Sequence, residues 1–273
     1  VSYAALEAYG LEIEALDLYG DTSAAEGIVT SIIDGFLRIT HNLFVQLTGF
    51  TKTFKRSELK AYLDGHHFAA AAVLKNGVPG MYDLMVPKPT GMKVSYQVAT
   101  TTVLDLYTQL NLADSVKQML DFCKTIVTID DMRKRVEYTK HMTQSIRRLT
   151  KEDTEKALRP LFNTDKTQDV KFGTVYKDLK EFQDTTTSLL DCDAIFKEVA
   201  TITEQVKVLN EQLSDYLDLV ESNKVTDRDY LKALYDFIWT AAVQLDMYGV
   251  VLDRLQVLEH NHVLVLDILV KKK

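Results

Sequence analysis

The chain has 273 residues, room for one or two domains with a substantial core, and its 46% apolar and 26% charged residues are those of an ordinary globular protein. Only 11 glycines and 4 prolines interrupt it, which argues for long helices and against a fold of many short strands. The net charge of −7 lies entirely before Arg38, where Glu7, Glu12, Glu14, Asp17, Asp21, Glu26 and Asp34 meet no lysine or arginine; residues 38–273 are neutral as a set, which excludes a generally basic nucleic-acid binder.

The chain opens with a near-duplication. Ala5-Leu6-Glu7-Ala8-Tyr9-Gly10 returns as Ala15-Leu16-Asp17-Leu18-Tyr19-Gly20. Each copy reads as a short amphipathic helical turn closed by glycine, too short to hold its shape alone and ordered only against another surface. The leading residues lack the basic region that opens a secretory signal. Ser23-Ala24-Ala25-Glu26 fits a capping box, and a helix from there to about Leu47 sets Ile28, Val29, Ile32, Ile33, Phe36, Leu43, Phe44 and Leu47 at helical spacing. Asp34 and Arg38 stand one turn apart on its wet side, placed to pair. The helix is about as long as a bilayer is thick, but those charges and its recurring Thr, Ser, Asn and Gln make a core helix the default and membrane contact through residues 28–50 the weaker alternative.

Phe50 to Arg56 is a basic connector, Ser57 caps a short helix from Glu58 to Leu63, and Ala69 to Ala72 belongs to another. Residues 77–91 hold three prolines and three glycines and read as the clearest loop, a hinge or a contact segment. Met92 to Val98 reads either as a brief strand or as a helix start. From Thr101 the helical period dominates, with helices expected over Ile129–Leu149, Lys151–Phe162, Val175–Leu190, Ala194–Val220, Asp227–Leu258 and His262–Val270. Ile202, Val206, Leu209, Leu213, Leu217 and Val220 form a seam that faces the Tyr230–Leu258 helix in a hairpin.

Chemical motifs are sparse. Glu259-His260-Asn261-His262 contains the letters of a nuclease motif without its ββα context, and reads as a junction between two helices. His66 and His67 are adjacent, so their side chains diverge and do not share a metal. Asp191-Cys192-Asp193 reads as an N-cap for the helix from Ala194. Cys123 and Cys192 form no CxxC pair and suit a reducing compartment. No P-loop, dinucleotide-binding, nucleophile-elbow or zinc-protease motif occurs, so no catalytic, cofactor-binding or metal-ligating residue is assigned, and no cofactor is expected. Arg133, Lys134, Arg135, Lys140, Arg147 and Arg148 make a basic stretch, read as a solvated face that can receive the acidic opening segment of the same or another subunit. Trp239 reads as core.

Ala5-Leu6-Glu7 before Ala8 and Ala24-Ala25-Glu26 before Gly27 resemble the small-x-Glu maturation-protease sites of virion proteins in large tailed bacteriophages; Glu12-Ile13-Glu14 before Ala15 departs at its first position. Residues 26–60 also resemble phage virion proteins, so the likeness covers roughly the first sixty residues. It implies a head-associated or internal structural protein, located in the virion and in host cytoplasm during assembly, with Glu7, Glu14 and Glu26 as processing positions.

The expectation is therefore an all-α or mainly α multi-helix bundle with long antiparallel helices, an extended N-terminal arm and at most a minor β element near 92–98. Its segments are an acidic arm over 1–22, a helical region over 23–91 and a helical bundle over 92–273. The expected function is non-enzymatic: a virion component whose arm, through Leu6, Tyr9, Leu16, Leu18 and Tyr19, contacts other virion proteins or copies of itself. It would take no small-molecule substrate and make no specific nucleic-acid contact. The alternatives are a cytosolic helical adaptor and a membrane-associated helical protein.

Overall fold

Short polar side chains open many of the helices. Ser57 accepts from the Lys60 N–H at 3.1 Å and starts α1 (Glu58–Gly65). Asp131, Thr150 and Asp178 do the same, at 2.8–3.1 Å, for α5 (Met132–Ile146), α6 (Lys151–Leu158) and α7 (Leu179–Leu190). Asp227 accepts from Tyr230 N–H at 2.9 Å ahead of α9 (Arg228–Lys272). Each cap satisfies a backbone donor that the first helical turn leaves without a partner. Four further helices are α2 (His67–Asn76), α3 (Tyr96–Leu110), α4 (Leu112–Ile126) and α8 (Cys192–Ser222). This is a computed structural model; it describes residues 34–35, 37–38, 40–42, 44–45, 47–49, 57–159, 161, 166–222 and 227–273. Over these the chain is a mainly α-helical bundle with one small sheet, and the residues described between 34 and 49 are helical. The arm residues Leu6, Tyr9, Leu16, Leu18 and Tyr19, the positions Glu7, Glu14 and Glu26, the Ser23 capping box and the connector over 50–56 lie outside the described residues.

The described chain forms two compact units, each drawn from three separate stretches. One contains Leu110–Leu149, Ala200–Gly249 and the helical residues between 34 and 49. In its core Phe122 of α4 stacks on Phe237 of α9 with ring centres 4.0 Å apart, meets Tyr216 of α8 edge-on and lies parallel to Tyr138 of α5. Ile202, Val206, Leu209 and Leu213 are buried, as the seam requires, and the hydroxyls of Tyr216 and Tyr230 hydrogen-bond across the connection between α8 and α9. Fully burying such an aromatic or aliphatic side chain contributes about 1.5–3 kcal/mol.

The other unit contains residues 57–109, Thr150–Val199 and Val250–Lys273. Here α2 ends at Gly77, whose φ of 65° and ψ of −164° belong to a region essentially reserved for glycine, and a Cβ there would sit 2.6 Å from the Met81 sulfur. The segment read as a loop over 77–91 instead contains a 3-10 turn (Met81–Asp83) and strand β1 (Met85–Pro89). β1 pairs antiparallel with β2 (Thr167–Lys171), Val86 opposite Val170. The β element expected near 92–98 is thus displaced: Met92 follows a turn, and α3 begins at Tyr96.

Several helix boundaries also differ from expectation: the helix expected over Ile129–Leu149 spans Met132–Ile146, and the one expected to reach Phe162 ends at Leu158. The Glu259–His262 stretch is no junction, because α9 runs unbroken from Arg228 to Lys272. Glu259, His260 and His262 find partners on other elements and Asn261 bonds back to its own helix, so the helix has no reason to stop. Asp191 caps the C-terminal end of α7 rather than the start of the next helix, and α8 begins at Cys192. The expected Val175 start of α7 falls after a 3-10 turn (Phe172–Thr174), and the helix itself begins at Leu179 behind the Asp178 cap.

Candidate functional site

Among the described residues, a cluster of buried chemistry-bearing side chains surrounds the EHNH stretch of α9. His262 is fully buried, and both ring nitrogens are engaged: Nδ1 lies 2.7 Å from the Tyr176 hydroxyl and Nε2 2.8 Å from Thr186 Oγ1. Thr186 has one hydroxyl proton, which it donates to the Phe182 carbonyl at 2.8 Å. The Nε2–H therefore donates to Thr186, and Nδ1 accepts from Tyr176, which fixes one neutral tautomer. Burial lowers the His262 pKa to about 3. Phe182 lies against the imidazole with centres 4.8 Å apart, Tyr176 packs edge-on, and Tyr96 stacks on Tyr176 at 5.2 Å. The arrangement is a neutral hydrogen-bonded chain walled by aromatic rings; charging it would break the Tyr176 donation.

One turn earlier, Glu259 is 1% exposed. It accepts from the Ser57 hydroxyl and from the Leu59 N–H at 3.1 Å, so a carboxylate of α9 caps the N-terminal end of α1. Burial raises its pKa, the Ser57 and Leu59 hydrogen bonds opposing that rise. Beside it, Cys192 is buried and its thiol pKa is pushed up by burial, which makes it a poor nucleophile. Asp193 accepts from Lys197 at 2.9 Å and Lys60 at 3.2 Å, and its pKa falls to about 2 through these hydrogen bonds, Lys197 first. His260, the exposed member of the stretch, meets Glu58 at 3.1 Å. Asn261 donates to the Val257 carbonyl one turn back at 2.8 Å.

The four residues of the motif thus diverge: two point into separate buried networks, one bonds its own helix, and one lies at the surface. Tyr176 and Thr186, which complete the His262 network, carried no signal in the sequence beyond Asp178 as a cap and a run of threonines. His66 and His67 are both exposed; His66 stacks on Tyr62 at 4.3 Å. Among the described residues no three His, Cys, Asp or Glu side chains gather as a metal site, and no described helix is long and apolar enough to cross a membrane.

In the unit that holds α4 and α5, an open groove of about 490 Å³ runs between the helical residues around 34–42 and α8. Asp34, Arg38 and Glu211 line it with charges of both signs, and the Thr40 hydroxyl bonds Asn210 nearby. Such a groove selects no single ligand charge. Arg133, Lys134 and Lys140 of α5, and Arg147 just past its end, are exposed, and Lys140 and Arg147 lie close enough to Asp236 to oppose the burial-driven rise of its pKa. Arg148 pairs with Asp114, and Arg135 donates to the Ile129 carbonyl. Trp239, expected in the core, is half-buried and lies parallel to Tyr235.

No family model, no curated protein and no solved structure matches this chain.

Proposed function

We propose that this protein is a non-enzymatic structural component of a tailed-bacteriophage particle that assembles through its acidic N-terminal segment. The observation that carries this reading is charge segregation. Seven carboxylates and no cation precede Arg38, while α5 exposes Arg133, Lys134 and Lys140, with Arg147 exposed just past its end. A segment of one sign and a helix face of the other set register and partner choice in an assembly. The apolar residues Leu6, Tyr9, Leu16, Leu18 and Tyr19 supply burial on docking, and the acids orient it. The buried network at His262 and Glu259 is compatible with a scaffold role, since each of those groups is spent on joining one element to another. The virion assignment itself rests on the resemblance of the first sixty residues and on the small-x-Glu sites at Glu7 and Glu26.

The test is incorporation. Protein lacking residues 1–22 should keep its helical circular-dichroism signal and thermal transition yet fail to enter particles, and mass spectrometry of mature particles should find the full-length protein's peptides and its true N-terminus. Normal incorporation of the truncated chain would refute the assembly role of the arm. Absence of its peptides from particles would refute the virion assignment.

A further inference from the structure

The two edges of the β1–β2 ribbon are built differently. Leu84 O accepts from Phe172 N, and Thr90 N donates to Lys166 O, both at 2.8 Å, at the two ends of a ladder that pairs Val86 with Val170. The even-numbered residues of both strands therefore bond across the ribbon, and the odd-numbered ones turn their N–H and C=O outward. On β1 the outward positions include Pro87 and Pro89, which have no N–H to offer, and the Pro87 carbonyl is taken by the Tyr96 hydroxyl at 2.9 Å. That edge is closed to another strand.

On β2 the outward residues are Thr167, Asp169 and Lys171. All three are exposed, and among the described residues their N–H groups have no hydrogen-bond partner. The Lys171 carbonyl accepts from Thr174 at 2.7 Å and keeps its second lone pair. Its ammonium sits 2.8 Å from Asp83 on a surface where both side chains are exposed.

We propose that the outer edge of β2 is a homotypic docking edge, and that its occupant is β2 of a second copy, antiparallel, with Val170 facing Val170 across the two-fold axis. The charge pattern selects this register. Centred on Val170, Asp169 of each copy lies opposite Lys171 of the other, and each such pair exchanges two main-chain hydrogen bonds. Centred on Asp169, the two Asp169 carboxylates would oppose each other, which is unfavourable. The product is a four-stranded sheet in the order β1-β2-β2-β1 whose two outer edges are both closed by proline. Pairing therefore stops at two copies rather than continuing into a fibre.

Sedimentation velocity of the full-length chain across a micromolar to submillimolar series tests this. Wild type should show a concentration-dependent dimer. Asp169→Pro removes only an outward N–H, leaving the even-numbered ladder intact, and should abolish dimerisation while preserving the circular-dichroism spectrum. Asp169→Lys and Lys171→Asp should each weaken the dimer about tenfold, since each alters two symmetry-related pairs, and the double swap should restore it. Under mild oxidation Val170→Cys should cross-link between copies, because facing residues at a non-hydrogen-bonded position bring their Cα atoms to about 4.5 Å. A monomer at every concentration, a dimer indifferent to Asp169→Pro and to both swaps, or cross-linking through Asp169→Cys in place of Val170→Cys would overturn the proposal.

Discussion

At His262 the local geometry dictates a pH dependence. The ring is neutral in the folded state down to about pH 3, while in the unfolded chain it titrates near 6.5. Between those values the unfolded state binds more protons, so the contribution of this residue to stability is full above about pH 6.5 and is lost as the pH falls toward 3. The slope approaches 1.4 kcal/mol per pH unit in mid-range. Urea unfolding of wild type and His262→Gln at several pH values between 4 and 7 checks it: the stability difference between the two should shrink on acidification. Gly77 gives a second residue-scale outcome. Its dihedral angles suit glycine alone, and a Cβ would press on Met81, so Gly77→Ala should lower stability by about 1–3 kcal/mol in the same assay. The glycine was legible as part of a loop, but its strain was not, because the obstructing sulfur belongs to the turn that follows.

At the scale of elements, α1 and α9 are joined by one carboxylate. Glu259→Gln keeps an oxygen to accept from Ser57 and Leu59 and removes the buried charge, so stability near neutral pH should stay level or rise slightly. Glu259→Ala leaves the first turn of α1 without those acceptors and should cost about 1–3 kcal/mol, measured as a shift in urea midpoint at unchanged slope. Elements whose signals are local were readable in advance. Ser57 announces a helix by itself, and the Ile202–Leu213 spacing announces a buried face. Elements defined by a distant partner were not. β1 carries two prolines, which argue against a strand until its partner shows that both occupy non-bonding positions. β2 is polar and exposed along almost its whole length, with no alternating pattern to expose it. The continuity of α9 through Glu259–His262 follows the same logic, since its polar side chains are matched by Ser57, Tyr176 and Thr186 from far along the chain.

At the scale of the whole molecule, neither compact unit is a continuous stretch of sequence, which a reading of linear pattern does not anticipate. What linear pattern does capture is charge, and charge supplies the last prediction. Removing residues 1–22 deletes Glu7, Glu12, Glu14, Asp17 and Asp21, which takes the chain from −7 to −2. If that segment docks on α5, the partner cations are the exposed Arg133, Lys134 and Lys140, of which Arg133 and Lys140 stand seven residues apart on one helix face. Reversing those three to glutamate in otherwise full-length protein should mimic the truncation: a folded chain with an unchanged thermal transition that fails to assemble. Raising the salt should weaken assembly of wild type, because the screening length falls from about 10 Å at 0.1 M to about 3 Å at 1 M. A purely apolar arm contact would instead hold or tighten under a salting-out anion such as sulfate. Light scattering of assembling protein across sodium chloride and sodium sulfate series separates the two: loss in both assigns register to the carboxylates, and gain in sulfate with indifference to the α5 reversals assigns it to Leu6, Tyr9, Leu16, Leu18 and Tyr19.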